Sequence, residues 1–265
     1  MKNIGLKKME GINRYYQDLF HSDETILKNV IGILPGKSKK EELVIFSAHY
    51  DHIGSGDVAL GFDPIYKDRE KTIDTINGAN DNASGIAAML AIAAYYLKKG
   101  PQERSIVFIA FSGEEIGMFG SGSLTNVIVR ENVVAQFNLI MLGRRNKLNE
   151  NPFVTGDSLS DLRILMNNCL EASNGTKDYF LQDNSGEEQL FYRSENIELA
   201  KEGVTAHTIM LTTASDPFYH SPKDEPATLD YKLMATIVKN IAFATACFVN
   251  GTTTPKRIKS LSGNH

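Results

Sequence analysis

Four short apolar runs rich in β-branched residues constrain the fold most: LVIFSA at 43–48, SIVFIAF at 105–111, FNLIML at 137–142 and HTIMLT at 207–212. A strand with one wet face alternates apolar and polar residues. An unbroken apolar run of this length suits a strand buried on both faces, at the parallel centre of a sheet covered by helices. Helical stretches lie between the runs. ASGIAAMLAIAAYYLKKG, 83–100, offers Ser84 as an N-cap, lysines in the last turn and Gly100 as a stop. SDLRILMNNCLEA, 160–172, opens on a serine cap, and residues 228–248 read as a C-terminal helix after Pro226. The alternation predicts an α/β fold: a three-layer sandwich with a mostly parallel central β-sheet flanked by helices. Residues 1–265 are read as one domain, with 1–25 as a shortened N-terminal element. The polar stretches 55–78 and 173–196 read as loops around a site.

The net charge of −4 is spread along the chain, so neither a nucleic-acid nor a membrane-surface partner is expected. Two cysteines in a chain this long, Cys169 and Cys247, make no disulfide framework and read as two buried thiols. The longest apolar stretch, IAAMLAIAAYYL at 86–97, is too short to span a bilayer, so no membrane span is expected. The N-terminal stretch has lysines but no apolar core segment, so no signal peptide is read in this chain.

In open α/β sheets, ligands bind outside the carboxyl ends of the strands. The unusual polar residues of this sequence fall at those ends. His49 and Asp51 follow the first run, Glu114 and Glu115 follow the second, and His220 comes shortly after the fourth. Asp81 sits in GANDNASG, just before the alanine-rich helix. Taken singly, each has an ordinary use: a hydrogen-bonded loop histidine, a helix cap, a solvated turn. Together they form a set of carboxylates and imidazoles, the ligand mixture that zinc favours.

The ordered motifs NVIGILPG, AHYDHIG, GANDNASG, RSIVFIAFSGEEIGMFGS, FNLIMLGR, FYRSEN and YHSPKDE run from about Asn29 to Tyr231. In this pattern the chain resembles the M28 family of zinc peptidases. The resemblance implies two zinc ions bridged by Asp81, one held also by Glu115 and His220, the other by His49 and a strand aspartate. It makes Glu114 the general base and Asp51 the acid that orients His49, and leaves His52 to packing or support. It further implies a peptide substrate, release of N-terminal residues by metal-activated water, and a periplasmic or secreted location.

One departure matters most. Where the family strand reads N-L-D-M-I-G, this chain has Ile140 in place of the aspartate. Isoleucine has no lone pair for a metal. The expectation is therefore one firmly bound zinc and a second site impaired by Ile140. Milder departures are Glu195 in R-S-E, where the family has R-S-D, and Phe218, where it has an acidic residue. The competing readings are a non-catalytic relative that binds without cleaving and a glutaminyl-cyclase-like transferase. The last ranks lowest, because Tyr219-His220 stands where that group has Trp-His.

Overall fold

The four runs form the centre of an eight-stranded sheet. The computed structural model describes residues 1–20, 26–55, 75–145, 151–186, 189–259 and 261. Its strands are β1 (Tyr16–Phe20), β2 (Ile26–Leu34), β3 (Lys39–His49), β4 (Gly54–Ser55), β5 (Thr75–Ile76), β6 (Arg104–Phe111), β7 (Val133–Ile140), β8 (Phe153–Val154), β9 (Leu181–Gln182) and β10 (Ala206–Met210). The sheet order is β1-β2-β6-β3-β7-β10-β8-β9, while β4 and β5 pair separately. The predicted strands β6, β3, β7 and β10 lie side by side and parallel. Of the strands added outside them, β1 joins β2, β2 joins β6 and β8 joins β10 antiparallel, while β9 joins β8 parallel. The sheet is thus mixed, with a parallel centre. The outer strands were not read from the sequence, since they are short or follow a polar pattern.

Among the described residues, six α-helices accompany the sheet: α1 (Gly85–Lys99), α2 (Phe119–Gly122), α3 (Leu162–Asn174), α4 (Asn196–Lys201), α5 (Tyr231–Ala244) and α6 (Ala246–Val249). Successive strand residues point to opposite faces, and the central strands use both. Val44, Phe46, Ile106 and Phe108 join Met89 and Ile92 of α1, Met166 and Leu170 of α3, and Ile237 and Ile241 of α5 in one core. Ile45, Val107, Ile109 and Phe111 join Ile197 and Leu199 of α4 in the other. This double burial is why the strands carry no polar alternation, and it gives the three layers expected.

Several local expectations need correction. Ser84 occupies the N-cap position of α1, but its backbone is already helical and its hydroxyl does not cap. It donates to Asn80 O at 2.7 Å and accepts from Leu142 N at 3.0 Å, tying the helix start to the end of β7. Gly100 ends α1 at φ 88°, as read. At α3 the N-cap position falls to Asp161, although Ser160 Oγ accepts from Leu162 N at 3.1 Å. Cys169 and Cys247 are not thiols but a disulfide, with Cα atoms 6.0 Å apart. The helices α3 and α5 pack together, and α6 brings its cysteine beside α3, a proximity that a separation of 78 positions conceals. The stretch Tyr231–Val249 is long and apolar enough, by length and composition, to cross a membrane, which the sequence reading overlooked. Its buried face, including Ile237, Ile241, Ala244 and Phe248, belongs to the core. Most of the polar loop 55–78, residues 56–74, lies outside the described residues.

Candidate metal centre

The carboxyl ends of the parallel strands converge. His49 is the last residue of β3 and pairs with Phe111, the last of β6. The turn after β6 then carries Glu114 and Glu115. Ile140 ends β7 opposite Met210, which ends β10. His220 arrives from the loop beyond β10, held at φ 51°, a left-handed conformation unusual outside glycine.

Asp81 reaches the same place from a tightly pinned loop. The buried Asp224 carboxylate accepts from Asn80 N at 2.9 Å and from Asp81 N at 3.1 Å. Asp224 is in turn held by Arg144 Nη1 at 2.8 Å, and the same guanidinium pairs with Asp216 at 2.8 Å. Asn82 Oδ1 accepts from Met141 N at 3.2 Å, and Asn82 Nδ2 donates to Leu139 O at 2.9 Å, so the loop is laced to the end of β7. The Asp81–Asn82 peptide is cis. Arg144 and Asp224 lie within the motifs quoted above, but sequence reading gave them no task, because they act through backbone amides.

With its backbone fixed, Asp81 presents one oxygen to each histidine. Oδ2 lies 3.2 Å from His220 Nε2, and Oδ1 lies 3.2 Å from His49 Nε2. Glu115 Oε2 is 3.3 Å from His220 Nε2. A tetrahedral zinc with bonds of about 2.0–2.1 Å separates its ligand atoms by roughly 3.3 Å. The His220–Asp81 and His220–Glu115 spacings therefore suit a zinc ion between them, and imidazole with carboxylate is a fitting donor set. His52 completes a group of four with Asp81, Glu115 and His220, each offering one ligand atom within 4.8 Å of the others. His49, Glu114 and Glu115 form a second group by the same measure.

The His49 ring is oriented through Asp51, though not mainly through its carboxylate. His49 Nδ1 donates to the Asp51 carbonyl at 3.1 Å, whereas Asp51 Oδ1 is 3.9 Å away. The other carboxylate oxygen, Oδ2, accepts from Glu115 N at 3.3 Å and so supports the glutamate turn. With Nδ1 donating, Nε2 is the nitrogen left to face Asp81. The Glu195 side chain is buried, and its Oε2 accepts from Asn138 Nδ2 at 2.7 Å. The sequence reading noted Glu195 only as a departure; its burial brings a further carboxyl near His49.

The electrostatics follow from packing four acids and three imidazoles out of water. Burial alone would lower the His49 pKa, but the charges of Glu114, Asp81 and Glu195 outweigh it and hold the ring well above its usual value. Burial pushes Glu114 well above the carboxylate range, opposed by His49 and reinforced by Glu115. Burial also raises Glu115 and Glu195. Asp81 goes the other way: the hydrogen bond and charge of His49 overcome its burial and lower it. Burial, followed by the charges on His52 and His49, holds His220 down at about 3, so its ring is neutral. Buried Asp81 and Glu115 beside the neutral ring of His220 are a demand for a cation.

Beside this charged wall lies an apolar one. Ile140, Met141, Phe153, Leu190 and Met210 cluster together with Tyr219 against them. A cavity of about 40 Å³ is lined on one side by His49, Asp81 and Glu114 and on the other by Ile140, Leu190 and Tyr219. Ile140 thus lines the same small cavity as His49, Asp81 and Glu114.

Comparison with known proteins shows the family and the fold. The model of peptidase family M28 matches residues 29–245. The chain is 26% identical over 246 residues to aminopeptidase YwaD of Bacillus subtilis, covering 83% of this chain and 46% of that protein. The chain therefore spans less than half the length of that relative. Among solved structures, a zinc aminopeptidase from Bacillus subtilis superposes with a TM-score of 0.66 at 22% identity, over 88% of this chain and 52% of that one. A glutaminyl cyclase from Bacteroides thetaiotaomicron, bound to N-acetylhistamine, superposes with a TM-score of 0.68 at 18% identity, over 92% and 85%. At these identities the structural matches speak for the fold.

Proposed function

Because the chain belongs to peptidase family M28, we propose that it is a zinc-dependent peptidase that removes N-terminal residues from peptides. The observation that carries this is the trio Asp81, Glu115 and His220, with His220 Nε2 3.2 Å and 3.3 Å from the two carboxylates, spacings that suit one zinc. In this reading these three residues hold a single firmly bound metal. Zinc, when bound there, supplies a Lewis acid for the scissile carbonyl and makes water acidic enough to attack near neutral pH.

The rest is the work of the chain's own groups. Glu114, beside the trio, is the base that takes the proton from the attacking water and passes it to the leaving amine. Its buried, raised pKa brings it toward the working pH, where a base transfers protons most effectively. The apolar wall of Met141, Leu190 and Tyr219 excludes water and receives an apolar part of the substrate. His49 and the Oδ1 face of Asp81 are what remains of a second site. Two protein ligands are fewer than catalytic zinc sites use, and Ile140 gives none, so this half is impaired. A periplasmic or secreted location is part of the same reading, supported by the disulfide, since such bonds persist in oxidising compartments.

A panel of aminoacyl chromogenic substrates, assayed with zinc and with a chelator, tests the proposal. Zinc-dependent release of the chromophore is expected. Glu114→Gln should lower turnover by about 10²–10⁴-fold while leaving zinc content unchanged. No turnover on any substrate by zinc-loaded protein would point to the binding-protein reading, and turnover confined to a glutaminyl peptide to the cyclase reading. Unchanged turnover in Glu114→Gln would remove that residue from the chemistry.

A further inference from the structure

The family pattern gives His52 no ligand role, yet the structure builds a seat for it at the metal trio. Its side chain is 8% exposed. Nδ1 lies 2.8 Å from Glu115 Oε1, and since a carboxylate only accepts, Nδ1 carries the proton. In the neutral ring the tautomer is thereby fixed, with the lone pair on Nε2. That atom is buried with no hydrogen-bond partner among the described residues. Buried polar atoms are nearly always satisfied, and an exception beside a cluster of metal-ligating groups asks for a cause such as an ion. The ring stands 5.5 Å, centroid to centroid, from that of His220. It is also cradled: a Cβ on Gly78 would fall 2.4 Å from His52 Cγ. Gly78 has φ 64°, so only a glycine there combines the turn toward Asp81 with room for the imidazole.

We propose that His52 is the fourth protein ligand of the metal, closing a two-imidazole, two-carboxylate set with Asp81, Glu115 and His220. The arrangement has the logic of a built site. A ligating histidine commonly donates its second ring N–H to a carboxylate, which fixes the ring and strengthens the bare nitrogen as a donor. Here that carboxylate is Glu115, itself in the set, so one side chain both binds and orients. The centre then differs from the usual catalytic arrangement, in which three protein ligands leave one position open, and the water of the proposed hydrolysis would have to enter as a fifth ligand, a coordination number that catalytic zinc can reach. Loss of the second metal half at Ile140 and gain of His52 at the first half together describe a chain that holds one zinc by four side chains. The inference rests on the reading of Asp81, Glu115 and His220 as metal ligands.

X-ray absorption at the zinc edge, on the whole protein loaded with one equivalent of zinc, counts the imidazoles directly. Two are expected in the wild type and one in His52→Gln, which retains an amide donor for Glu115. His49→Ala should still show two. A competition titration should show zinc affinity reduced more than 100-fold in His52→Gln, beyond the roughly 10–100-fold typical of a residue that only orients a ligand. One imidazole in the wild type, or two in folded His52→Gln, overturns the fourth ligand while leaving the three-ligand site standing. A count that falls in His49→Ala instead overturns it as well. Wild-type protein that takes up no zinc would sink the three-ligand reading and this inference together. The wild-type count decides even if a variant fails to fold.

Discussion

Ile140→Asp is the sharpest test of why this chain should hold one metal rather than two. The substituted side chain is 5% exposed and packs with Met141, Phe153, Leu190 and Met210. Losing a buried branched side chain costs about 2–5 kcal/mol, and an unpaired carboxylate in its place adds to that. For a domain of this size about 1 kcal/mol moves the melting temperature by roughly 2–4 °C. A loss near 3 kcal/mol should thus lower the Tm of the zinc-free variant by roughly 6–12 °C. The new carboxylate would join His49 Nε2 and Asp81 Oδ1, already 3.2 Å apart, as the third member of a second site. Zinc that binds only the folded chain stabilises it by about 4.1 kcal/mol at a free concentration 1,000 times the dissociation constant. Zinc should therefore raise the variant's Tm by more than it raises that of the wild type, and cancel most of the deficit. Calorimetry with and without zinc reads this, and elemental analysis should give two zinc ions per variant chain against one per wild-type chain. Wild-type protein that already carries two tightly held zinc ions would refute the reasoning. So would a variant that remains low-melting and takes up no second ion, because the apolar wall would then have no opening for a metal.

Two further outcomes concern stability. Reducing the Cys169–Cys247 bond, or replacing both residues with alanine, frees a crosslink spanning 78 positions; the chain-entropy relation puts the loss at about 4.5 kcal/mol, readable as a lower urea midpoint, and an unchanged midpoint would mean the bond does not form. His207 is buried, and burial lowers its pKa from 6.5 to about 4. The unfolded chain therefore binds the proton first as the pH falls, so stability present above pH 6.5 drains away between about 6.5 and 4, by roughly 3 kcal/mol. In His207→Gln that part of the acid slope should be missing from denaturation curves taken across the interval, and equal slopes would show that the ring titrates normally in the fold.

Legibility in the sequence followed physical range. The central strands were readable because burial on both faces leaves a continuous apolar run, as in SIVFIAF. His49, Glu114 and Glu115 were readable because they interrupt that pattern at the strand ends, where the sheet topology gathers them. Asp81 and His220 entered by the same placement, but their roles depended on the resemblance, since nothing local distinguishes a loop aspartate from a cap. What stayed hidden works at a distance. Asp224 acts on the backbone amides of Asn80 and Asp81, more than 140 positions away. The Cys169–Cys247 pairing needs α6 to arrive beside α3. The strands β1 and β2 at the sheet edge carry mixed patterns, including the buried Gln17 and Asn29, which bond each other at 2.9 Å. No periodicity announces an amide pair of that kind, because its polarity is satisfied only by the fold.

Asp81 shows how little separates a one-metal from a two-metal centre. Its two oxygens still face two imidazoles at 3.2 Å each, a symmetric arrangement that a single metal does not require. On the His220 side the imidazole is neutral, with Asp81 and Glu115 to share a cation. On the His49 side the balance is struck differently. Burial argues against a charged ring, yet Glu114, Asp81 and Glu195 together hold the His49 proton well above its ordinary pKa. An imidazolium there places one positive charge against those carboxylates, where a dication would place two. In the proposed one-metal reading the isoleucine at 140 fits this lower charge, since it leaves one acid fewer in a wall without a second metal to neutralise it. Binding a second ion would require His49 to give up that proton first, so the same residues that would welcome the metal also set a proton in competition with it.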